Sequence, residues 1–153
     1  MGKVAFIFSG QGAQYIGMGS QIAKEYKSSL NVFKEASEVL GFDVEKMIFN
    51  GDDETLKITE NTQPAILITS IACLQPLLEK GIKPDVTAGL SLGEYSAHVC
   101  SNTFSFRDAV SLVRKRGKFM QEAVPLGAGT MAAIIGLKEQ DVIDCCKEAS
   151  SEG

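Results

Sequence analysis

Pro84-Asp85-Val86-Thr87-Ala88-Gly89-Leu90-Ser91-Leu92-Gly93-Glu94-Tyr95-Ser96-Ala97-His98 carries a short strand, Val86 to Gly89, through a G-x-S-x-G turn into a helix that runs to about Cys100. This is the form of a nucleophile elbow. Glycines two positions either side of Ser91 let the backbone turn tightly, so that the serine Oγ stands above the strand end with helix N-terminal amides nearby. Such a turn suits acyl transfer, and a structural strand-to-helix turn is the alternative.

Composition sets the outer bounds. The 153 residues amount to about one domain, 44% are hydrophobic, and the formal charge of -4 gives no basis for expecting nucleic acid. The most apolar stretch, Pro64 to Leu74, is shorter than the roughly 20 residues a membrane helix needs, so no membrane is expected. The start, Met1-Gly2-Lys3-Val4-Ala5-Phe6, enters a strand pattern with no signal-peptide features, which predicts a cytoplasmic location. Cys73, Cys100, Cys145 and Cys146 lack metal-ligand spacing and are expected to be reduced thiols, with no metal bound.

Outward from the elbow, Lys3 to Phe8 predicts a first strand closed by the loop Ser9-Gly10-Gln11-Gly12-Ala13-Gln14. Helices are expected at about 19–25 and 30–40, with a turn at Asn50-Gly51-Asp52-Asp53. A helix should begin at Asn61-Thr62-Gln63-Pro64, with Pro64 near its first position and Pro76 kinking it. Ser105 to about Ala123 predicts another helix, Met131 to Gly136 a third strand, and Leu137 to about Ala149 a last helix. Alternating strands and helices argue for an α/β fold with a mainly parallel sheet. Three strands are few for this class, so the chain is expected to be incomplete, with apolar faces awaiting further sequence or a partner chain.

The Gly10 loop fails both nucleotide motifs. Tyr15 stands where G-x-G-x-x-G needs its third glycine, and Met18 follows Gly17 where a P-loop has lysine. What remains is a turn at a strand's C-terminal end, either a plain turn or a source of oxyanion-stabilising amides. On the helix from Arg107 to Ala123, a 100° wheel groups Ala109, Leu112, Val113, Phe119, Met120 and Ala123, with Arg116 at the centre of that face. An inward guanidinium costs several kcal/mol unless paired, so a carboxylate is expected, from the protein or from a ligand. Arg114, Lys115 and Lys118 are read as a solvated basic edge.

Together, Gly10-Gln11-Gly12-Ala13-Gln14, Asn61-Thr62-Gln63-Pro64-Ala65, Gly89-Leu90-Ser91-Leu92-Gly93-Glu94-Tyr95 and Arg116-Gly117-Lys118-Phe119-Met120-Gln121 resemble the malonyl-CoA:acyl-carrier-protein transacylases, in order and spacing. The resemblance implies a hydrolase-like parallel sheet over 1–127, followed at 128–153 by the first strand and helix of a small ferredoxin-like subdomain, both cut short. It implies that Ser91 takes a malonyl group from coenzyme A as an ester and passes it to the phosphopantetheine thiol of acyl carrier protein, in fatty acid biosynthesis. Amides of Gln11 and Leu92 would form the oxyanion hole, and Arg116 would bind the free malonyl carboxylate. Gln63 would line the pocket, a structural role being the alternative. Coenzyme A enters as a thioester substrate, and no tightly bound cofactor is implied.

Two positions depart from the pattern. Leu90 stands where the family commonly has histidine. The family's general base is a histidine far beyond the nucleophile, whereas His98 lies seven residues after Ser91, about 10 Å up the same helix. His98 is expected to pair with Glu94 instead. The chain alone is therefore expected to be an inactive fragment, completed by a missing C-terminal segment or another copy. A noncatalytic acyl-CoA or carrier-protein binding module and a serine esterase or thioesterase are the alternatives.

Overall fold

The computed structural model describes residues 2–124, 127, 132 and 134–151. Strand β1 (Ala5–Phe8) pairs in parallel with strand β2 (Val86–Gly89), in the register Ala5 to Val86 and Phe8 to Gly89. Asp85 locks the entry to this ladder. Its amide donates to the Val4 carbonyl at 2.8 Å, and its carboxylate accepts from the Val4 amide at 2.7 Å. Side chains alternate across the pleat, so Phe6 and Phe8 turn toward the helices, while Ile7 and Val86 lie on the opposite face. That second face is open, with Ile7 80% and Val86 56% exposed, the uncovered apolar face expected from sequence. The expected third strand lies partly outside the described residues, and positions 132, 134 and 135 belong to no strand.

Eight helices are described. They are α1 (Ser20–Glu25), α2 (Lys27–Leu40), α3 (Val44–Asn50), α4 (Asp53–Lys57), α5 (Thr59–Glu79), α6 (Gly93–Cys100), α7 (Phe106–Ala123) and α8 (Glu139–Ser151). Two of them, α3 and α4, fall where only a turn was expected. The turn lies between the two helices, and an aspartate caps the start of each: Asp43 accepts from the Lys46 amide at 2.8 Å and Asp52 from the Thr55 amide at 2.7 Å. Those bonds to Thr55, amide and hydroxyl, also hold the Asp52 carboxyl below its ordinary range. Among the described residues all four cysteines are free thiols.

Helix α5 is the hub, packing against α7, α2, α6, α4 and α1. Every residue from Asn61 to Ile68 is buried, so this part of the helix is enclosed around its whole circumference, polar Asn61, Thr62 and Gln63 included. It begins earlier than Pro64 suggests and continues past Pro76 as one element. Each proline should leave the carbonyl four residues back without a donor. Side chains from neighbouring helices fill both vacancies: Arg114 Nη1 donates to the Glu60 carbonyl at 2.7 Å, and Ser29 Oγ to the Ala72 carbonyl at 2.7 Å. The first amide of the helix, Thr59, donates to Gln121 of α7 at 3.2 Å. Ser29 is fully buried, so Ser29→Ala orphans a buried carbonyl and is expected to cost about 1–3 kcal/mol, read as a lower urea midpoint with an unchanged slope.

Candidate active site

The elbow sits where β2 meets α6. Ser91 has φ 53°, a left-handed conformation uncommon outside glycine, which turns its side chain out at the strand end. The chain can pass this closely only without side chains at its flanks. A Cβ on Gly89 would lie 2.0 Å from the Gly93 carbonyl carbon, and one on Gly93 would lie 2.2 Å from the Phe8 carbonyl oxygen. Leu92 points the other way and is fully buried, anchoring the first turn of α6 in the core. The amides of Gly93, Glu94 and Tyr95 are taken by the carbonyls of Leu90, Ser91 and Leu92 at 2.9–3.2 Å. The Leu92 amide makes no hydrogen bond among the described residues, nor does that of Gln11. Gly10 presses against the elbow, its absent Cβ only 2.7 Å from the Leu90 carbonyl oxygen, so the loop after β1 brings Gln11 beside the serine turn.

From the other side comes Arg116. Its Nη2 donates to Ser91 Oγ at 3.0 Å, its Nη1 donates to Gln63 Oε1, and its guanidinium lies 5.8 Å from the centre of the Tyr95 ring. Gln63 Nε2 in turn donates to Gln11 Oε1 at 2.8 Å. Four of the five residues selected from sequence thus form one hydrogen-bonded chain, Ser91 to Arg116 to Gln63 to Gln11, and Leu92 is the residue after the nucleophile. No aspartate or glutamate among the described residues forms an ion pair with Arg116.

The route by which Arg116 arrives differs from the helical wheel. The buried face of α7 is Ala109, Val110, Val113 and Gly117, while Leu112 and Phe119 are 43% and 66% exposed. Gly117 sets this rotation. A Cβ there would lie 2.7 Å from Glu60 Cα, so α7 rests backbone to backbone on the start of α5. Arg116 is therefore at the rim of the contact rather than its centre, and Arg114 flanks the other side.

Arg114 is not a solvated edge residue. Beyond its bond to the Glu60 carbonyl it donates to Asn61 Oδ1, forms an ion pair with Glu60 at 3.4 Å and lies 5.4 Å from the centre of the Phe42 ring. The signal that could have found it was Pro64, whose freed carbonyl calls for a donor. Tyr95 was also missed, although its place one helical turn after Ser91 puts it beside the nucleophile. His98 does not pair with Glu94. Its ring packs 5.0 Å from that of Phe104, and it makes no hydrogen bond to Ser91 among the described residues.

Known proteins share this arrangement of chain. The malonyl CoA-acyl carrier protein transacylase of Bacillus subtilis strain 168 is 50% identical over 153 residues, covering 100% of this chain and 48% of that protein. A crystal structure of the transacylase of the same name from Clostridium perfringens superposes with a TM-score of 0.85 at 46% identity, over 99% of this chain and 48% of that one. A malonyl-transacylase solved in complex with its type II PKS acyl-carrier protein superposes at 0.87 with 44% identity, over 96% and 48%. The chain spans about half the length of these relatives. The sequence profile of the acyl transferase domain matches residues 5–149. Because that match takes in nearly the whole sequence, elbow and arginine included, this protein belongs to the acyl transferase domain family.

Proposed function

We propose that the site performs malonyl transfer: Ser91 Oγ, its proton taken by a base, attacks the thioester carbonyl of malonyl-CoA, coenzyme A leaves as the thiol carrying that proton, and a malonyl ester remains on the serine. The phosphopantetheine thiol of acyl carrier protein then attacks that ester and frees the hydroxyl. In both tetrahedral intermediates the oxyanion would accept hydrogen bonds from the Gln11 and Leu92 amides, which are free of other partners among the described residues. Arg116 would take the distal carboxylate in a bidentate grip.

The observation that carries this reading is Arg116. A guanidinium held against the nucleophile, with glutamine, serine and a tyrosine ring around it but no carboxylate paired with it among the described residues, has unmet affinity for an anion next to the reacting atom. A neutral acyl group would leave that charge unanswered, which disfavours an esterase of simple esters. The names of the relatives supply the same acyl group and carrier.

Ser91 needs a base, and the sole histidine, His98, packs on Phe104 away from it. We therefore infer that the isolated chain acylates slowly and turns over poorly. Radiolabelled malonyl-CoA incubated with acyl carrier protein and either the chain or its Ser91→Ala variant tests both parts. The expected result is weak transfer that vanishes in the variant. Rapid serine-dependent turnover would contradict the need for an outside base, and carrier binding with no acylation at all would favour a noncatalytic docking module.

A further inference from the structure

Gln63 is 1% exposed, yet both ends of its amide are engaged: Oε1 accepts from Arg116 Nη1 and Nε2 donates to Gln11 Oε1 at 2.8 Å. The orientation of that amide is not free. A guanidinium can only donate, so it must face the oxygen of Gln63, which turns the nitrogen toward Gln11. Gln11 must then offer its own oxygen, which fixes its side chain relative to the loop. Packing holds the stem as well, because a Cβ on Gly117 would lie 3.2 Å from Gln63 Cγ. A buried amide with its oxygen and nitrogen both engaged is poorly placed to contact a substrate, which favours the structural of the two roles open to Gln63.

We propose that Gln63 is a positioning residue that couples the occupancy of Arg116 to the placement of the Gln11 loop, so that an acyl group carrying a carboxylate sets the oxyanion donor as it binds. The coupling rests on the reading of Arg116 as the carboxylate site. When a carboxylate engages Arg116, the guanidinium shifts within its fork of donors, the oxygen of Gln63 follows Nη1, and the Nε2 bond carries the displacement to Gln11. A residue that only filled space would transmit nothing.

The test is an NMR titration of the isotopically labelled chain with malonate, following the side-chain resonance of Arg116 and the backbone amide of Gln11. In the unsubstituted protein both should move along the same binding curve. In Gln63→Leu, close in size but unable to hydrogen-bond, Arg116 should still respond and the Gln11 response should be lost. An equal Gln11 response in that variant overturns the proposal. Should Gln63→Leu fail to fold, Gln63→Glu decides: a carboxylate facing Arg116 should compete with malonate and shift the titration to higher concentration, and an unchanged titration overturns the assignment. If malonate leaves Arg116 of the unsubstituted protein unmoved, the carboxylate reading fails by itself. The coupling is then read without ligand, because Arg116→Ala should shift the Gln11 amide in the native background and leave it in place in Gln63→Leu; a shift in both overturns it.

Discussion

Replacing Arg116 with alanine is expected to erase the proposed preference of Ser91 for malonyl over acetyl groups. A charge-assisted hydrogen bond contributes about 1.5–3 kcal/mol, so loss of the bidentate pair should lower malonyl ester formation roughly ten- to hundredfold. Acetyl ester formation should change much less, since an acetyl group offers nothing to the guanidinium. The measurement is competitive labelling with equal malonyl-CoA and acetyl-CoA, read as the ratio of the two adducts by intact mass. Arg116→Lys should fall between, because an ammonium keeps the charge and loses the fork. An undiminished malonyl preference in Arg116→Ala would remove the arginine from acyl selection. Its bond to Ser91 at 3.0 Å would then be a structural tether.

The second large effect is on stability. In Gly93→Ala the new methyl would lie 2.2 Å from the Phe8 carbonyl oxygen and 2.9 Å from that of Ser9, both backbone atoms of the strand and loop that carry Gln11. Nothing there can rotate aside. Strand β1 or helix α6 must shift, at a cost of about 3 kcal/mol or more by comparison with overpacked cores. Leu90, three positions before Gly93, provides the contrast: it is 75% exposed, so Leu90→Ala is expected to stay within about 0.5 kcal/mol. Urea midpoints of the two variants measure the difference. A Gly93→Ala protein as stable as its parent would mean that the elbow is looser than its contacts imply.

The elbow was legible because its chemistry is local: the two glycines, the serine and the following helix lie in one short run, and backbone sterics leave them little choice. The α/β class was legible for a similar reason, from strands that read as apolar runs and helices that read as amphipathic ones. Helices α3 and α4 were hidden because Asp43 and Asp52 serve as caps, and the residue types that cap helices are those that make turns. The rotation of α7 was hidden because it depends on a contact, the approach of Gly117 to Glu60, that no periodicity within one helix can report. Arg114 and Ser29 illustrate the same limit. Their roles are to satisfy carbonyls that prolines on another helix set free. The Gln11, Gln63 and Arg116 chain joins three segments distant in sequence, so their proximity became visible only in three dimensions, although each was selected from its own motif.

The measurement that bears most directly on the central claim is the location of the acyl group. The chain is incubated with malonyl-CoA, digested, and the peptide containing Ser91 is sequenced by tandem mass spectrometry beside the same peptide from Ser91→Ala. The account predicts a malonyl ester on Ser91, formed slowly without an added base and absent from the variant. A malonyl adduct elsewhere that survives Ser91→Ala, with Ser91 itself unmodified, would contradict it.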